Sequence, residues 1–184
     1  AGRGGHHGAD GARPRRRPRV SEHVLVVGAS GVVGTAALRQ FAGARGGPVT
    51  AVSRRPPVET FGATHVAVDL RDAAACAALV RDHPGVTRLV YAALHEQPGL
   101  VAGWLEDAQI ETNRLMLTNL LDALERHAPG LRHVTLLQGT KAYGVHVQPL
   151  EVPAREDRSE RRDVPNFYWA QEDLLRERRS RASW

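Results

Sequence analysis

Three glycines mark the segment Gly28-Ala29-Ser30-Gly31-Val32-Val33-Gly34, which directly follows the apolar run Val24-Leu25-Val26-Val27. A GxxGxxG turn between a buried strand and a helix presents free backbone amides, backed by the positive end of the helix dipole, to phosphate anions. In that reading Gly28 allows the tight turn, Gly31 lets the backbone approach a pyrophosphate, and Gly34 lets the helix pack closely on the strand. Ser30, Val32 and Val33 belong to the same loop and helix start. The alternative is a glycine turn with a purely structural role.

Ligands of open parallel sheets bind beyond the carboxyl ends of the strands, so residues just after each strand are the next candidates. After the second apolar run stands Ser53-Arg54-Arg55, where a carboxylate for an adenosine 2′-hydroxyl is usual in an NAD-preferring domain. Two guanidiniums and a hydroxyl suit a 2′-phosphate instead, which points to NADP(H); two solvated arginines are the alternative. Asp69-Leu70, after the third run, could accept from an adenine amino group and cover its ring, or Asp69 could simply start a helix. Ala93 and Leu94, past the fourth run, join the cofactor group by position. Lys141 is the single lysine among 25 lysines and arginines, and it lies just past the fifth run. A compact ammonium can reach ribose hydroxyls and lower a neighbouring phenol's pKa, although one chance lysine in an arginine-biased chain is the other reading. The Tyr-x-x-x-Lys helix pair of short-chain dehydrogenases is absent.

The elements that would position these residues follow from periodicity. Strands are predicted at Val24 to Val27, Val49 to Ser53, His65 to Val68, Thr87 to Ala92 and Leu131 to Gln138. Between them, helices are predicted from Val33 to Phe41, from Asp72 to Asp82, and from Leu105 to His127 with Leu117, Leu120, Leu121 and Leu124 on one face. Residues 145 to 165 read as a loop, and Asn166 as the cap of a final helix. Strands alternating with helices imply an α/β doubly wound parallel sheet, a Rossmann fold.

Composition agrees with a soluble globular domain: 42% of residues are hydrophobic and 24% charged in 184. Residues 1–20 carry six arginines against Asp10, which accounts for the whole formal charge of +5. That tail has almost nothing to bury and is expected to be disordered; it is either a weak anchor to an acidic surface or a solvated leader. Residues 21–184 are then the NADP(H)-binding domain. Without a long apolar run or a secretory leader, a cytoplasmic location with no membrane partner is expected. Specific nucleic-acid binding is not expected, because no aromatic residue interleaves with the arginines. Cys76 reads as buried and inert, and neither a metal cluster nor a serine-histidine-acid pattern is evident. Oligomeric state is not legible.

The segments Leu131-Arg132-His133-Val134-Thr135-Leu136-Leu137-Gln138-Gly139-Thr140-Lys141-Ala142-Tyr143-Gly144 and Pro165-Asn166-Phe167-Tyr168-Trp169-Ala170-Gln171-Glu172-Asp173 resemble the progesterone 5β-reductase and iridoid synthase-like enone reductases, atypical extended short-chain dehydrogenases. The resemblance extends through the glycine turn, Ser53 to Arg55, Asp69-Leu70 and Glu111-Thr112-Asn113. It implies that Lys141 and Tyr168 form the catalytic pair and also touch the cofactor. NADPH would deliver hydride to an enone or carbonyl substrate, Tyr168 would hydrogen-bond the developing oxyanion, and Lys141 would orient ribose and favour phenolate character. Trp169 stands where the family has a second tyrosine, and Leu137 where plant members have glutamine. Because family members continue well beyond the helix of Tyr168, the resemblance also implies that the fold is cut after that helix and that the C-terminal substrate region is lacking. An NADP(H)-binding redox sensor without catalysis, and an interaction protein using its basic tail, remain as readings from other classes.

Overall fold

β1 (Val24–Val27) is buried at all four positions, as a strand covered on both faces must be. The computed structural model describes residues 22–43, 47–97, 106–155, 161–182 and 184, so the basic tail lies outside the described residues. After β1 come α1 (Val32–Gly43), β2 (Val49–Ser53), β3 (Thr64–Ala67), α2 (Ala73–Asp82), β4 (Arg88–Tyr91), α3 (Asp107–His127), β5 (His133–Leu136), a 3-10 turn at Thr140–Tyr143 and α4 (Phe167–Arg179).

All strand pairings are parallel, in the order β3-β2-β1-β4-β5. The chain winds outward from β1 to β3, then crosses back to place β4 on the other side of β1. Strand order therefore reverses between β1 and β4, where such sheets open a crevice. Val24 aligns with both Val49 and Arg88, so the carboxyl ends of β1, β2 and β4 come out level.

Alternation along β1 divides the core. Leu25 and Val27 face α2 and α3, joining Leu79, Val80, Leu89, Tyr91 and the fully buried Leu117, Leu120, Leu121 and Leu124. Val24 and Val26 face the other way, toward Leu38, Ala51 and Val90. Each buried leucine of α3 contributes about 1.5–3 kcal/mol by area. Truncating one, as in Leu120→Ala, is expected to cost about 2–5 kcal/mol.

The observed strands are shorter than predicted at several ends. β5 occupies only the middle of the predicted run, although Arg132 still donates to Thr87 O and Leu137 to Tyr91 O. α2 begins one residue after its predicted start because Asp72 is the N-cap, its carboxylate accepting from the amides of Ala74 and Ala75. α3 starts at Asp107 with Glu106 at its cap position; the predicted start at Leu105 lies outside the described residues. Asn166 caps α4, as its position suggested. Trp184 packs against the core on the α2–α3 side.

Candidate functional site

The turn after β1 is closed by backbone bonds from Gly28 N and Ala29 N to Val52 O and from Gly31 N to Gly28 O. Gly28 has φ +85°, and a Cβ there would stand 2.6 Å from the backbone of Ala92. At Gly34 a Cβ would fall onto the carbonyl oxygen of Gly28, so helix and turn can meet this closely only without side chains. The first amides of α1 have no intrahelical acceptors, and its first turn carries no acidic residue. Val32 and Val33 stand exposed beside them.

These residues border a cavity of about 460 Å³ at the carboxyl ends of β1, β2 and β4. Of the residues assigned to the cofactor by sequence, Gly28, Ser30, Gly31, Val32, Val33, Ser53, Arg54, Arg55, Asp69, Leu70, Ala93 and Leu94 all line it. Gly34 sits behind its wall, and Lys141 and Tyr168 lie outside the lining. An open glycine turn, helix-start amides without intrahelical acceptors and exposed apolar side chains fit a nicotinamide dinucleotide. A larger cleft of about 750 Å³ runs along α3 and α4 to Trp184. Its walls include Arg178, bonded to Asp122 and Glu125, and Arg181, bonded to Glu177. None of the candidate residues lies there.

Two of the lining side chains carry bonds that the sequence did not indicate. Ser53 is buried, and its hydroxyl donates to Arg55 O at 2.6 Å with His65 Nε2 at 3.3 Å, so it shapes the arginine turn. Asp69 does not start a helix. Its carboxylate accepts from the amide, Nε and Nη2 of Arg71, and these bonds hold its pKa down at about 2. Arg71 also lines the cavity, which the sequence reading missed. The signal was available: a third arginine two residues from a candidate acid. Cys76 is buried, and desolvation pushes its thiol up to about 11.

Beyond the cavity's Ala93 and His95, the chain meets the second cluster. The Lys141 Nζ lies 3.8 Å from Glu96 Oε1, and a Cβ at Gly139 would stand 3.0 Å from the Tyr168 hydroxyl. Burial pushes the Tyr168 pKa up; the Gly139 backbone hydrogen bond lowers it, and the Glu96 charge raises it further. Burial pulls Lys141 down against the opposing pull of Glu96. Burial is the largest of these influences, so the Tyr168 hydroxyl is held above its ordinary value. A neutral phenol is the form that donates a hydrogen bond to an oxyanion.

Asn166 joins the two segments. Its Oδ1 accepts from Tyr168 N at 3.0 Å while its Nδ2 donates to Lys141 O at 3.1 Å. Trp169 donates its indole N–H to Arg161 O at 3.0 Å and lies under the Arg162 guanidinium, so this departure from the family braces the loop before α4. Leu137 packs against the α1-side core. Among the described residues, no group of three metal-binding side chains occurs, and no helix is long and apolar enough to cross a membrane.

Residues 24–172 match the model of the NAD dependent epimerase/dehydratase family. The 3-oxo-Δ(4,5)-steroid 5-beta-reductase of Arabidopsis thaliana is 33% identical over 164 residues, which are 82% of this chain and 40% of that protein. The (S)-8-oxocitronellyl enol synthase of Nepeta cataria is 32% identical over 171 residues, 86% of this chain and 42% of its own length. This chain thus spans less than half the length of these relatives. These are relatives of the kind named in the sequence resemblance. Among solved structures, UDP-glucose 4-epimerase from Brucella ovis in complex with NAD superposes with a TM-score of 0.68 at 19% identity, covering 87% of this chain and 48% of that one. Uronate dehydrogenase from Agrobacterium tumefaciens gives a TM-score of 0.58 at 22% identity, covering 89% and 58%. The shared feature is the Rossmann fold.

Proposed function

This chain belongs to the NAD dependent epimerase/dehydratase family, and from that premise we propose that it is the NADP(H)-binding part of an extended short-chain oxidoreductase that reduces an enone or a carbonyl. The observation that carries the proposal is the meeting, in one cavity, of the glycine turn with Arg54 and Arg55. The turn offers amides to the pyrophosphate, and the arginines offer charged donors to a 2′-phosphate, with no acid at that strand end to repel it.

Chemistry is assigned to Lys141 and Tyr168. NADPH, when bound, supplies the hydride. As hydride adds to the β-carbon of an enone, the π electrons move to the carbonyl oxygen, which becomes an enolate oxygen. The Tyr168 hydroxyl donates a hydrogen bond to that oxygen, and its neutral form suits the task. Lys141 would hold the ribose hydroxyls of the cofactor and supply positive charge at the site.

The test is NADPH consumption with a panel of cyclic enones and enals, with product analysis and a Tyr168→Phe variant alongside. Turnover lost in the variant supports the reading. Tight NADPH binding without turnover of any panel member favours a redox-sensing module.

A further inference from the structure

Glu96 had no place in the sequence reading, yet the fold holds the backbone on both sides of it. Before it, His95 N donates to Asn113 Oδ1 and His95 O accepts from Asn113 Nδ2, both at 2.8 Å. After it, Gln97 N donates to Gln109 Oε1 at 2.8 Å. Gln109 and Asn113 are fully buried, one turn apart on α3, and Asn113 O in turn accepts from Gln171 of α4 at 3.0 Å. Four residues separate the two amides, so they form one rail along the helix. The rail binds loop backbone on one side and the tyrosine-bearing helix on the other.

We infer that Glu96 is a positioning residue of the Lys141–Tyr168 site, clamped by α3 so that its carboxylate holds the lysine ammonium beside the tyrosine. This rests on the reading of those two residues as the reacting pair. Stability alone does not explain the arrangement: an ion pair at 3.8 Å between side chains 24% and 37% exposed adds little to it. Buried amides that fix the backbone on either side of a residue with a partly exposed carboxylate make sense as placement of charge. Its charge favours the protonated form of both neighbours, opposing burial at Lys141 and adding to it at Tyr168. Lys141 thereby stays cationic and Tyr168 stays a donor. His146, which also feels the ammonium, is pulled down by burial and by the Lys141 charge, and is neutral where the pair titrates.

The test uses the full chain without cofactor, labelled with 13C at lysine and tyrosine and titrated by NMR. Lys141 gives the single lysine signal, and Tyr168 is assigned by its loss in Tyr168→Phe. In Glu96→Gln both midpoints should fall, by about half a pH unit or more, because the charge that favours both protonated forms is gone. Glu96→Asp, which keeps the charge, should hold them near the parent. If Glu96→Gln does not fold, Glu96→Ala must move both midpoints the same way. Unmoved midpoints in either folded variant overturn the inference. NADPH binding is measured in parallel. Shifted midpoints in a chain that binds no NADPH refute the cofactor reading and leave Glu96 in place, while binding with unmoved midpoints does the reverse.

Discussion

The Asn166 side chain donates to the carbonyl of Lys141 at 3.1 Å, so the cap of α4 also anchors the turn that carries the lysine. Because its other end caps the amide of Tyr168, one buried amide fixes the separation of the two candidate reacting residues. Proximity of this kind is what oriented catalysis depends on. Asn166→Ala removes both bonds and is expected to cost about 1–3 kcal/mol in urea unfolding. Asn166→Asp keeps the cap but sets an acceptor against the Lys141 carbonyl; it should retain α4 by circular dichroism and still lower NADPH affinity.

Gly34 is the most size-restricted position of the turn. A methyl group there meets the Gly28 carbonyl oxygen, and the turn must open to admit it. Gly34→Ala should destabilise the fold by about 1–3 kcal/mol and abolish measurable NADPH binding. Thermal melting with and without cofactor checks both, since only the parent should gain from NADPH.

Asp69 should remain ionised well below the usual carboxylate range, because its folded pKa is held at about 2 by bonds from Arg71. The sign follows directly: a depressed carboxylate stabilises the fold above its unfolded pKa, and that contribution is lost as pH falls toward 2. In Arg71→Met the Asp69 midpoint should rise toward the ordinary value in a 13C carboxyl titration. An unchanged midpoint would mean that Arg71 does not hold the acid.

Cys76 should resist alkylation. With its thiol raised to about 11 by burial, little thiolate exists at pH 8, and reaction with iodoacetamide should follow unfolding. Rapid labelling of the native chain would contradict its placement in the core.

Fold class, element order and much of the cavity lining were legible because they rest on local rules: a glycine turn after a buried run, a leucine stripe, a cap at Asn166. Strand ends were less legible, since Arg132 and Leu137 still bond to neighbouring strands outside the regular ladder. Ser53 lines the cavity, and the bond by which its hydroxyl also braces the arginine turn is a tertiary fact that no residue type announces. Gln109 and Asn113 left a trace in the periodicity of α3. They continue the buried register of Leu117 and Leu121 toward the start of α3, and a polar residue on an apolar stripe has to find a partner. That partner, the backbone around Glu96, depends on how the loop after β4 folds back, which no local pattern encodes.

The central claim, a 2′-phosphate held by Arg54 and Arg55 beside the glycine turn, is tested most directly by calorimetric titration of the chain with NADPH and with NADH. The parent should prefer NADPH, and the Arg54→Ala, Arg55→Ala double variant should lose about 2 kcal/mol or more of NADPH affinity, roughly thirtyfold, while NADH affinity stays nearly constant. Equal affinities in the parent, or a preference that survives the double substitution, would contradict it.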